Sequence, residues 1–128
     1  MRKMGLAAVL LLALPLGGCG LLGIPRPVTL GVVNVTLPAT VSPTAPMQVD
    51  VRVGMGSCED TNHRLTLVSR TAQTLTLKAE ATKTNYGAVC PAVYTESTLS
   101  YTDPGTPTRT SPFEVIVNGK SWGKVEVR

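Results

Sequence analysis

Three residue types with metal or redox chemistry crowd into one short stretch, MGSCEDTNH, from Met55 to His63. Met55, Cys58 and His63 are the ligand types of a blue-copper centre, where thiolate and imidazole hold the metal and a thioether sits weakly on its axis. That centre needs two histidines, and His63 is the single histidine of the chain. Cys58 also has a competing use. With Cys90 it can form a disulfide that closes a loop of about 32 residues, which on the chain-entropy account stabilises by roughly 3–4 kcal/mol. Using Cys58 as a copper ligand would strand Cys90. The bridge is therefore the expected chemistry, and copper binding through Met55, Cys58 and His63 is the alternative. Glu59 and Asp60 read as solvated loop charges.

Other chemistries find less support. A Ser-His-Asp arrangement would have to use His63 as its base, and no serine sits in a G-x-S-x-G elbow. Gly54-x-Gly56 is too short for a phosphate loop, and no helix pattern follows it. These readings point to a non-enzymatic protein without a catalytic residue, metal or dissociable cofactor. Binding is the favoured class. Asn62, His63 and Tyr86 would meet at one end if the bridge joins loops 56–62 and 84–91. Trp122, near the last turn, is a further exposed-aromatic candidate, with packing into the core the equal alternative. Tyr94 and Tyr101, seven apart, fall on opposite faces of a regular strand and cannot form one patch.

The start of the chain explains the third cysteine. Arg2 and Lys3 precede an uncharged stretch to Leu22, apolar from Leu6 to Leu14 and then rich in small residues. That order is a secretory signal. Pro15, Gly17, Gly18 and Gly20 break its second half, which argues against a retained transmembrane helix. Leu16-Gly17-Gly18-Cys19 resembles the lipobox of bacterial lipoproteins, with Gly17 a mild departure from the Ala or Ser usual there. The resemblance implies cleavage before Cys19 and acyl chains on that cysteine, which anchor by ~0.8 kcal/mol per buried methylene. The implied organisation is a cleaved signal over 1–18, a lipidated Cys19 and tether over 19–27, and one domain over 28–128. The tether, Gly20 to Pro27, begins with the apolar Leu21 and Leu22.

Removing the signal changes the charge balance. The full chain has 12 Lys plus Arg against 8 Asp plus Glu, a net charge of +4. Taking away Arg2 and Lys3 leaves ten against eight, or +2. Scattered charge of that size gives no footprint for nucleic acid. Two cysteines remain, an even number suited to an oxidising compartment.

The elements that must position these groups are strands. From Val28 on, apolar residues recur with period two among many Thr and Val. Strands are predicted over 28–37 (bent at Gly31), 47–55, 63–70, 74–83 and 92–103, with two more around Asn118-Gly119. The Pro-rich 38–46 segment reads as a connection. In 47–55, Met47, Val49, Val51, Val53 and Met55 share one face while Gln48, Asp50 and Arg52 take the other. Keeping Leu65 and Leu67 on the face of Leu75, Leu77 and Ala79 calls for an odd connection, which Thr71-Ala72-Gln73 supplies. Around Asn118-Gly119, a plain two-residue turn would put Lys120, Trp122 and Lys124 opposite the Phe113, Val115 and Val117 set. An odd loop or a bulge near Gly123 is predicted instead.

About seven antiparallel strands in some hundred residues suggest an immunoglobulin-like β-sandwich, with a small Greek-key barrel as the alternative. The functional expectation is a lipid-anchored protein of the bacterial envelope that binds an envelope protein partner or plays a structural part. An inhibitor of an exported hydrolase fits the same features. Gly20 in place of Asp after the cysteine favours the outer membrane where a cell has two.

Overall fold

A computed structural model of the chain describes residues 24–56, 60–84 and 93–128. The predicted signal with Cys19, together with Cys58, Tyr86 and Cys90, lies outside the described residues.

The fold is a β-sandwich of two packed sheets, and it does not close into a barrel. In chain order the strands are β1 (Arg26–Thr29), β2 (Gly31–Thr36), β3 (Thr40–Val41), β4 (Met47–Met55), β5 (Asp60–Arg70), β6 (Thr74–Lys83), β7 (Thr95–Asp103), β8 (Phe113–Val117) and β9 (Lys120–Val127). The smaller sheet runs β2-β4-β7. In the larger one, β6 pairs with β5 along one edge, while the other edge is shared by β1 and β8; β9 and β3 continue outward from β8. Most pairs are antiparallel. Two, β6/β8 and β3/β9, are parallel, an addition to the antiparallel pattern expected.

Alternation builds the core. Met47, Val49, Val51 and Val53 face Leu75, Leu77, Ala79 and Ala81 across the sheets, with Phe113, Val115, Val117 and Val125 beside them, all buried. The even-numbered Gln48, Asp50 and Arg52 take the outer side, as the period-two reading requires. The predicted first strand is split. Leu30 is where the chain passes from the larger sheet to the smaller, its N–H donating to the Ala79 carbonyl at 2.9 Å. The 38–46 connection carries the two-residue β3, which fits an edge and not a centre.

Asn118 holds the seam where β1 and β8 abut along β6. Its backbone is left-handed (φ 52°), as the two-residue Asn118-Gly119 turn demands. Its side-chain Oδ1 accepts from Ala79 N–H and its Nδ2 donates to the Leu30 carbonyl, both at 2.8 Å. One amide thus replaces the ladder bonds missing between the two short strands. The turn is the plain two-residue one, and the bulge alternative restores the parity. Gly123 opposes Val115 and Ser121 opposes Ile116, so Trp122 is the additional residue.

The β5/β6 hairpin departs from its predicted register near the turn. Leu65 and Leu67 do lie opposite Ala79 and Leu77, but Arg70 pairs with Leu75. A bulge at Val68 absorbs the difference. The effect is to turn Arg70, outward by simple alternation, toward the interior. There it meets Asp103, the last inward position of β7, with Nε to Oδ1 at 2.7 Å and Nη2 to Oδ2 at 3.0 Å.

Candidate functional site

The sandwich has two ends and one exposed flank. The near end is where the chain comes into β1, with Arg26 beside Lys83. Asp60 also pairs with Lys83, and Met55 pairs with Thr95. The strand ends flanking residues 57–59 and 85–92 therefore gather at this same end. The far end holds the Arg70–Asp103 contact and the 42–46, 71–73 and 104–112 loops.

At the near end, Asn62 and His63 are brought together by a second bulge in β5, where the two of them oppose Ala81 between Thr61↔Thr82 and Arg64↔Glu80. Asn62 is exposed and left-handed (φ 50°), and its carbonyl accepts from Arg64. His63 is half-buried, with its Nε2 enclosed and unpaired among the described residues; Asp60 Oδ1 is in the same condition. Met55 is half-buried and packs against the core. No group of three or more His, Cys, Asp or Glu side chains converges as a metal set among the described residues. Trp122 is not part of this end. It lies three strands across from β5, roughly 14 Å at ~4.8 Å per strand, packed on the core margin with Lys120 Nζ 4.2 Å from its ring centroid. The residue is half-buried, and its indole Nε1 is enclosed without a hydrogen-bond partner among the described residues.

A network of polar side chains crosses the outer face of β5 and β6. Glu80 receives Thr66 Oγ1 at 2.7 Å and Arg64 and Lys78 at 3.3 and 3.6 Å. The Thr66 hydrogen bond, with the two cations behind it, holds the Glu80 carboxyl below its ordinary range against the opposing effect of burial. On the smaller sheet, Asp50 accepts from Ser100 at 2.6 Å and Gln48 at 2.8 Å, which lowers its carboxyl too. Arg52 pairs with Glu96 at 3.2 Å. The Tyr94 ring lies over Gly54, occupying the space a side chain there would need.

The far end carries a cluster that sequence reasoning missed. Asp103 is fully buried between Arg70 and Arg109, and Arg109 is itself buried. Arg109 Nε donates to Asp103 Oδ2 at 3.0 Å, and its Nη1 reaches the carbonyls of Ser42 (2.9 Å) and Ala45 (2.6 Å). Both guanidinium groups stand over the Phe113 ring, at 4.7 and 5.6 Å from its centroid. Burial pushes the Asp103 carboxyl up, but hydrogen bonds and charge from Arg70 and Arg109 outweigh it and hold it below its ordinary value. Gly105 (φ 86°) lies so close to the Thr44 carbonyl that any side chain there would collide with it. One signal could have found Asp103: it continues the inward parity of Leu99 and Tyr101. Arg109, in a Pro-rich turn, gives none.

The flank between β5 and β7 exposes apolar side chains. Leu67 is 47% exposed and Val68 60%, large values for aliphatic strand residues, with Leu65, Leu99 and Tyr101 half-buried beside the core. Val68 also lines an open groove of about 370 Å³ on the outer face, with Thr29, Thr76, Lys78, Asn118 and Gly119 around it. This flank offers apolar contact and open backbone edges, the chemistry of protein recognition. Comparison with protein-family models, with curated proteins and with solved structures found no match for the chain.

Proposed function

We propose that this chain is a lipoprotein, anchored through Cys19 to a bacterial envelope membrane, whose sandwich binds a protein partner without catalysing a reaction. The observation that carries the binding part is the exposed apolar flank at Leu67 and Val68 beside the open β5 and β7 edges. The anchoring part rests on the lipobox-like Leu16-Gly17-Gly18-Cys19. The two parts agree in geometry. The tether joins at the near end, so the flank stands along the side of the domain, accessible to a neighbour on the same membrane. The strand ends around both cysteine segments also gather at the near end, which supports a Cys58–Cys90 bridge there. That bridge would remove the thiolate a copper centre needs.

The anchor is tested by expressing the full chain and a Cys19→Ser variant in a Gram-negative host. Expected are a mature N-terminus at Cys19 bearing acyl mass, membrane-fraction recovery, and loss of both in the variant. An unmodified Cys19 with the signal still attached overturns it. For binding, Leu67→Ser with Val68→Ser should abolish capture of the partner that the unaltered protein retains from solubilised envelope, while the fold stays intact by circular dichroism. Unchanged capture would count against this flank.

A further inference from the structure

The free strand edges of the sandwich differ in how they resist pairing with another chain. β1 is four residues long and contains Pro27; β2 is bulged at Val33; β3 has two residues; β5 is bulged at Asn62–His63 and at Val68. These are recognised devices that blunt an edge. β7 has none of them. Its nine residues, Thr95–Asp103, pair with β4 in unbroken register from Asp103↔Met47 to Thr95↔Met55, with no proline, lysine or bulge. Among the described residues nothing pairs with its outer edge.

We infer that β7 pairs antiparallel with β7 of a second copy, joining two three-stranded sheets into a continuous six-stranded one about a two-fold axis at Leu99. This rests on the reading of the chain as an anchored binding module and goes beyond it, adding a contact between copies at the β7 edge beside the flank. An isologous pair must be self-complementary, and this register is. Leu99 meets Leu99, Thr98 meets Ser100, Ser97 meets Tyr101, Glu96 meets Thr102 and Thr95 meets Asp103. Each acid faces a hydroxyl, and no like charges are opposed. Leu99 and Tyr101, half-buried in one copy, gain cover from their counterparts. A nine-residue strand pair, about 30 Å long, covers only roughly a few hundred Å² per copy, short of the ~800 Å² of a free-standing interface. Pairing therefore depends on confinement of both copies to one membrane, which raises their effective concentration.

Thr102 tests the register, being exposed, outward-facing and opposite Glu96 of the second copy. Thr102→Lys creates two ion pairs by symmetry and Thr102→Glu two repulsions, each changing the association constant by roughly two- to thirty-fold in opposite directions. The measurement is energy transfer between donor- and acceptor-labelled copies at fixed surface density. It is made with the lipid-bearing chain in phosphatidylethanolamine–phosphatidylglycerol vesicles. It is repeated with residues 20–128, which keep every described strand, held to nickel-chelating vesicles by an N-terminal hexahistidine tag. The expected order is Lys above unaltered above Glu on both surfaces, with free protein in solution near the random-encounter level. Equal transfer in all three, at or above that level, overturns the pairing. An ordered response of the tagged chain, with no lipid on the native one, sustains the pairing and overturns the anchor.

Discussion

Asp103 is the residue on which the far end depends. Replacing it with Asn leaves two buried guanidinium groups without a counter-charge, a change that costs about 3–5 kcal/mol for buried pairs. Urea unfolding at neutral pH should show a loss of that size. The pH dependence follows from its depressed carboxyl. A group held below its unfolded value of 3.8 contributes stability that is present above that value and fades as pH falls through the folded one. The urea midpoint of the unaltered protein should therefore drop in acid below about pH 4, and Asp103→Asn should show a shallower fall. Asp50 and Glu80, shifted the same way, keep that residual slope above zero. At the seam, Asn118→Gly retains the left-handed turn but removes both side-chain bonds to Ala79 and Leu30. Leaving those backbone groups unpartnered should cost about 1–3 kcal/mol, read from the same unfolding curves.

Among the elements, β5 and β6 make the clearest test of how geometry follows from counting residues. Deleting Val68 removes the bulge but leaves Leu67, Ser69 and Arg70 in regular alternation opposite Leu77, Thr76 and Leu75, so Arg70 stays inward and the loss should fall well short of that of Arg70→Met. Val68→Thr, which keeps the count, should lie within about 0.5 kcal/mol of the unaltered protein. The strands of the core were legible because alternation survives in them: β4 and β6 coincide with the predicted 47–55 and 74–83 spans. The sandwich followed from the same pattern. What the sequence hid were departures from alternation. A bulge leaves no mark of its own at Val68 or Asn62, and β3 is too short to show a period. The parallel β6/β8 pairing joins segments with no local signal linking them. Of the candidate site, Asn62 and His63 were placed together, although as a bulge and not a loop end. Trp122 was drawn to the core by the Gly123 bulge, and the exposed flank escaped notice because Leu67 matches core parity while Val68 is a lone apolar residue at an outward position.

For the whole molecule, the gathering of strand ends at the near end makes the proposed Cys58–Cys90 bridge a staple beside the tether. Non-reducing peptide mass spectrometry of exported protein should recover it. The double Cys58→Ser, Cys90→Ser variant should unfold about 3 kcal/mol more easily, with energy transfer between anchored copies unchanged, since β7 lies outside the staple.

The passage of the chain at Leu30 has a mechanical meaning. A pull on residues before Arg26, resisted at the far end, acts along β1 and β2, both of which run from the near end inward. The β1/β6 ladder, the Leu30–Ala79 bond and the Asn118 amide then bear the load together in shear, where they must yield at once and not one by one. A domain held by its first strand in this way is built to stay folded while it is tugged.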